Sequence, residues 1–150
     1  ATSYTIGLYM QRGEMLVPSK SHQGRNSVAH ELRGRLVYNG ELWIAPKVRN
    51  RLVYETFSKL GLLLSLVKWI PDCVWALAER TMATHGHPIR GGYSTIENGF
   101  FRWQWAGKEI PNVEWLHIAD RRSMEHLADE VCFEIAEART KDASGRKDGG

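Results

Sequence analysis

Gly34-Arg-Leu-Val-Tyr-Asn-Gly-Glu-Leu-Trp-Ile44 sets an Asn-Gly pair between two strand-like runs, and Tyr93-Ser-Thr-Ile-Glu-Asn-Gly-Phe-Phe-Arg-Trp-Gln-Trp105 repeats the arrangement. A two-residue type I′ turn needs φ > 0 at both central residues, which Asn-Gly adopts at the least steric cost. Read this way, Asn39-Gly40 and Asn98-Gly99 are the turns of two antiparallel hairpins, and the other elements are arranged around them.

Working outward, Tyr4, Ile6, Leu8 and Met10 alternate with small polar residues, which predicts a half-buried strand over 2–10. Residues 11–30 read as a long polar connection, of a kind that is usually functional when it occurs inside a compact domain. Pro46 suits the first position of a helix over 47–60, which carries Val53, Phe57 and Leu60 on one face. The run Leu60–Trp69 is too uniformly apolar for periodicity to separate helix from strand, and helix is the preferred reading. Pro71-Asp72 is read as the start of another helix ending near His85-Gly86, with Val74, Leu77, Ala78 and Met82 as its inward stripe. A strand is expected over 113–119. The last helix, 121–139, shows Met124, Leu127, Val131, Ile135 and Ala138 at helical spacing after an Asp120 or Ser123 cap. The expected fold is α+β: an antiparallel sheet around two Asn-Gly hairpins, with about three helices on one face. Residues 1–139 are expected to form one domain and 140–150 a flexible tail.

Composition limits the function classes. The 150 residues are 43% hydrophobic and 25% charged, which suits a folded globular chain rather than a disordered one. Six Trp are shared between core and a contact surface on this reading. Cys73 and Cys132 lie among apolar residues and are expected to be buried free thiols, not a disulfide framework. No apolar run approaches the roughly 20 residues of a spanning helix. With no leader pattern at 1–20, a cytoplasmic location is expected.

The net charge of +3 is unevenly distributed. Basic residues dominate 18–51 and acidic ones dominate 109–138, implying one basic and one acidic face. Lys20, Arg25, Arg33, Arg35, Lys47, Arg49 and Arg51 are therefore candidate phosphate contacts. Trp43 and Tyr54 are candidate stacking surfaces for bases, with Tyr38 nearby. Basic charge in the first turn of a helix opposes its dipole, so Lys47, Arg49 and Arg51 gain most from a partner anion. Phe101, Trp103 and Trp105 share one strand face and are read mainly as core.

Catalytic signatures are missing: there is no P-loop, dinucleotide-binding glycine fingerprint, nucleophile elbow or His-Glu-x-x-His. No catalytic residue, cofactor or metal is assigned. His85-x-His87 could start a metal site with His117 or Cys73, but nothing in the spacing selects a third ligand. The function expected is a small non-catalytic protein that binds nucleic acid, RNA in particular, or a nucleoprotein assembly through its basic surface. One alternative is a protein-interaction module (inhibitor, adaptor or self-assembling subunit) that meets an acidic surface or forms a homo-oligomer through its complementary faces. The other is a small RNA-processing enzyme built on His85, His87, Arg90 and Glu97. The string Phe100–Gly107 (FFRWQWAG) and the element order resemble matrix proteins of negative-strand viruses, which implies a self-assembling structural subunit and assigns no residue.

Overall fold

The computed structural model describes residues 17–18, 28–105 and 108–145, with side chains over 28–98 and 114–141. The expected strand at 2–10 and the candidates Lys20 and Arg25 lie outside the described residues, as do the side chains of Phe101, Trp103 and Trp105.

Strands β1 (Val17–Pro18), β2 (Leu36–Tyr38), β3 (Cys73–Glu79), β4 (Thr95–Trp105) and β5 (Lys108–Asp120) form one sheet in the order β1-β4-β5-β3-β2. Helices α1 (Arg51–Trp69), α2 (Arg80–Thr84), α3 (His87–Arg90) and α4 (Arg121–Gly145) complete the described elements, with single 3-10 turns at Val28–His30 and Pro46–Val48. The fold is α+β. The sheet is mixed rather than antiparallel, because β2 pairs with β3 in parallel, Leu36 opposite Cys73 and Tyr38 opposite Trp75.

Neither Asn-Gly pair makes the expected hairpin turn. Asn39 and Gly40 both avoid φ > 0, which is found nearby only at Gly34 and Glu41. Asn39 instead donates its backbone N–H to Trp75 O at 2.9 Å and its side-chain amide to the Tyr93 hydroxyl at 3.1 Å. The chain leaves the sheet there and returns through α1 as a parallel crossover. Asn98-Gly99 sits inside β4, where the register to β5 shifts between Glu97 and Phe101. Extra residues on one strand of an antiparallel ladder make a bulge. The β4–β5 hairpin itself closes beyond the Trp105–Lys108 pair.

Helix α1 begins after Asn50, whose side chain accepts the Val53 N–H at 2.9 Å. Pro46 opens the preceding 3-10 turn instead. The helix continues through the apolar run to Ile70, which takes φ 45 at its C-terminal cap. Its last carbonyls are satisfied by arginines from two other elements: Arg35 reaches Trp69 O at 2.5 Å, and Arg121 reaches Ile70 O at 3.0 Å. Asp72 ties both down, accepting the Arg35 N–H at 2.8 Å and the Arg121 guanidinium at 2.7 Å.

The helix expected from Pro71 is a strand, β3, over most of its length. Cys73, Val74, Trp75 and Ala76 are all buried, as in a central strand covered on both faces, where no alternation survives for periodicity to detect. On one face Val74, Ala76 and Ala119 pack with Leu62 of α1 and with Met124 and Leu127 of α4. On the other, Trp75, Leu116 and Ile118 are covered by Val28, Leu32 and Tyr38. Cys73 is buried, but Cys132 is exposed on the distal part of α4. Asp120 caps α4 by accepting the Ser123 N–H at 2.7 Å, and hydrogen bonding from the Ser123 hydroxyl first, then from this N–H, holds its carboxyl below the usual range. No helix among the described residues is long and apolar enough to cross a membrane.

Candidate functional site

Strand β2 stops at Tyr38, while β3 continues for four more residues. The β3–β5 register settles where the exposed edge points. Arg121 N–H bonds Asp72 O, so Val74, Ala76 and Ala78 exchange their ladder bonds with β5, and alternate residues face β2. Cys73 and Trp75 duly bond to Arg35 and Asn39 on the β2 side. Leu77 is the next in that series, and β2 has ended before reaching it. Among the described residues its N–H and C=O therefore open into a gap at the C-terminal end of the parallel pair. Pairing with a missing strand is what such an edge offers.

The gap belongs to a cleft of about 790 Å³. Because β2-α1-β3 is a parallel crossover, the N-terminus of α1 arrives at the end where the two strands finish. Arg49, Asn50 and Arg51 line the cleft there. Arg49 donates to Ile44 O from two nitrogens, at 3.1 and 2.9 Å, and Arg51 lies 3.4 Å from Glu55. Segment 39–44 forms a second wall, with Trp43 on its rim at 73% exposure.

The cleft floor carries His117 and Tyr93, and Glu114 lines the cleft from the Leu116 face of β5. His117 sits opposite Ala76 on the helix-covered face. Only 1% of it is exposed, and its Nε2 has no hydrogen-bond partner among the described residues. Burial pushes its pKa from 6.5 down to about 4, so it is neutral at pH 7. The Tyr93 ring lies 5.8 Å from it, and burial raises the Tyr93 hydroxyl well above the ordinary phenol range. At the flank, Arg90 bonds Glu55 at 2.6 Å and lies 3.3 Å from His87 Nδ1. Burial first, then the charge of Arg90, hold His87 below its ordinary pKa.

The residues expected to act together separate into groups. Lys47, Arg49, Arg51, Trp43 and Tyr54 gather at the N-terminal end of α1. Arg33 donates to Leu32 O, and Arg35 is committed to the C-terminal carbonyls of α1. The two ends are roughly 28 Å apart over 19 residues. His85, His87 and Arg90 are neighbours, with 6.3 Å between the imidazole centroids. Glu97 is on the opposite sheet face, beside Leu116 in register, and accepts the Val28 N–H at 2.9 Å; Glu55 is the carboxylate beside Arg90. No group of three His, Cys, Asp or Glu among the described residues is placed to hold a metal ion. Sequence reasoning named His117 only as a conceivable further metal ligand for the His85-x-His87 pair. Its available signal was a polar side chain between Leu116 and Ile118 on a strand buried on both faces.

Comparison of the chain with protein-family models, curated proteins and solved structures gives no match.

Proposed function

We propose that the cleft binds an elongated, phosphate-bearing small molecule, of the kind in which a nucleotide or pyrophosphate head carries an extended amide-containing arm. The observation that supports this reading is the open β3 edge at Leu77, facing the first turn of α1. Helix N-termini favour anions through their unpaired N–H groups and dipole, and Arg49 and Arg51 add positive charge at the same end. An extended amide arm satisfies a strand edge as a short β-strand would, with N–H and C=O at matching spacing. Ligands of the coenzyme A type combine both parts. A thioester at the end of such an arm would be held near Tyr93 and His117, uncharged hydrogen-bonding groups suited to orienting an acyl acceptor. Acyl transfer is therefore the reaction class we assign, in a protein that meets this ligand in the cytoplasm.

Isothermal titration with coenzyme A, and with inorganic pyrophosphate for the head alone, tests the reading. Coenzyme A is expected to bind more tightly than pyrophosphate. Arg49→Ala with Arg51→Ala weakens both, whereas Leu77→Pro, which removes one edge N–H, weakens coenzyme A alone. Equal affinity for the two ligands, or no binding of either, overturns the proposal.

A second reading, nucleic-acid binding through the same rim, draws support from Trp43, whose exposed indole lines the cleft with Arg49 and Arg51. Stacking of one base there is worth about 1–3 kcal/mol. Fluorescence anisotropy with single-stranded RNA and DNA at two salt concentrations separates the readings. Steeply salt-dependent oligonucleotide binding that Trp43→Ala weakens, without coenzyme A binding, selects the second.

A further inference from the structure

Helix α1 is apolar on two opposite faces. Leu62, with Ser58 and Ser65, faces the body of the protein and is buried. The reverse side carries Phe57, Leu60, Leu64 and Val67, which are 54%, 46%, 57% and 81% exposed. Their spacing of three, four and three residues is that of the a and d positions of a heptad. Leu62 then falls at f, the position farthest from that seam, and it faces the core. A solvent-facing helix surface is normally polar, so a charge-free a/d seam pointing outward signals a helix that has a partner.

We infer that this seam is the interface between two copies of the chain, α1 against α1 in antiparallel register about a two-fold axis passing near Leu62. That register puts Leu60 beside Leu64 of the second copy, and Phe57 beside its Val67. Each large residue thus faces a smaller or equal one, and one surface complements itself, as a two-fold interface requires. The antiparallel sense opposes the two helix dipoles. It also separates the Lys68 ammonium groups by roughly 18 Å along the axis, where a parallel pairing would bring them together. Side chains of this size, half or more exposed, leave on the order of 400 Å² of apolar surface per copy. With the backbone and lysine stems around them, two copies bury on the order of 1,000 Å², the lower bound for a specific interface. The seam carries no charge, so this association is not the pairing of acidic and basic faces expected from composition.

Sedimentation equilibrium of the full chain at several concentrations tests the inference. A dimer that persists from low to high salt is expected, with Leu64→Glu weakening it at least 100-fold while circular dichroism stays unchanged. A second measurement does not depend on that variant. In a Cys132→Ser background, Leu60→Cys with Leu64→Cys is expected to give an intermolecular disulfide on mild oxidation, and neither cysteine alone does so efficiently. A chain that stays monomeric at tens of micromolar, a dimer dispersed by salt, or a dimer indifferent to Leu64→Glu overturns the assignment, and the seam is then covered by another segment or another protein.

Discussion

Replacing His117 with Leu should remove a defined part of the acid sensitivity of the fold. Burial holds this imidazole neutral down to about pH 4, whereas its ordinary value is 6.5. Between those limits the unfolded chain binds a proton that the folded chain refuses. Stability therefore rises with pH through this window, is complete above about 6.5, and is lost as pH falls toward 4. Each unit of separation is worth about 1.4 kcal/mol, so the full window amounts to about 3 kcal/mol and the loss at pH 5 to about 2 kcal/mol. Other histidines and carboxylates titrate in the same range, so the quantity to read is a difference of differences. Urea unfolding of the native chain and of His117→Leu is measured at pH 7.5 and pH 5.0. The native chain is expected to lose about 2 kcal/mol more between the two pH values than the variant. At pH 7.5 the variant should be no less stable, since an imidazole nitrogen without a partner costs about 1–3 kcal/mol that leucine does not. Equal losses in the two proteins would refute the placement of His117 as a neutral, desolvated base.

The other predictions concern backbone and capping. Ile70 is a β-branched residue at φ 45, so Ile70→Gly is expected to raise stability by about 1 kcal/mol in chemical denaturation. Asp72→Ala removes the acceptor of the Arg35 N–H and the carboxylate partner of Arg121, which keeps its bonds to Ile70 O and Pro71 O, and is expected to cost about 1–2 kcal/mol, with α1 fraying first in hydrogen exchange. A Cβ at Gly91 would lie 2.6 Å from the Ser58 hydroxyl oxygen, which donates to Gly91 O at 3.0 Å; Gly91→Ala is expected to lower the melting temperature at a cost of about 1–3 kcal/mol. Cys132 is exposed and Cys73 is buried with a pKa raised to about 11, so a maleimide at pH 7 should label the native chain once, at Cys132, and twice only after unfolding.

Local chemistry was readable wherever one residue type has one strong preference. The cap at Asp120 and the amphipathic start of α4 follow from side-chain hydrogen bonding and helical spacing. The failures share a cause in tertiary demand. Asn39-Gly40 has the composition of a hairpin turn, yet Asn39 spends its amide on Tyr93 and its N–H on Trp75, two residues distant in sequence. Cys73–Ala78 is apolar at successive positions because both faces of β3 are covered, and such a run carries no period. The Val53, Phe57 and Leu60 face was legible as a stripe, but spacing alone does not say whether a stripe points inward or outward.

The candidate site depended on the same missed step. Read as antiparallel hairpins, residues 34–44 leave no strand edge open and give the basic residues no reason to separate, so Arg33, Arg35, Arg49 and Arg51 look like one surface. Once β2 and β3 are parallel, the chain must cross from the end of one strand to the start of the other, and α1 is that crossing. Its C-terminus then lies where the strands begin, which is why Arg35 caps it, and its N-terminus lies where they end. Ending β2 four residues before β3 leaves Leu77 facing that N-terminus across a gap, with His117 one strand further in. Charge composition named Arg49 and Arg51 among the candidates. Only the parallel pairing explains why those two line a cleft while Arg33 and Arg35 hold the far end of the fold together.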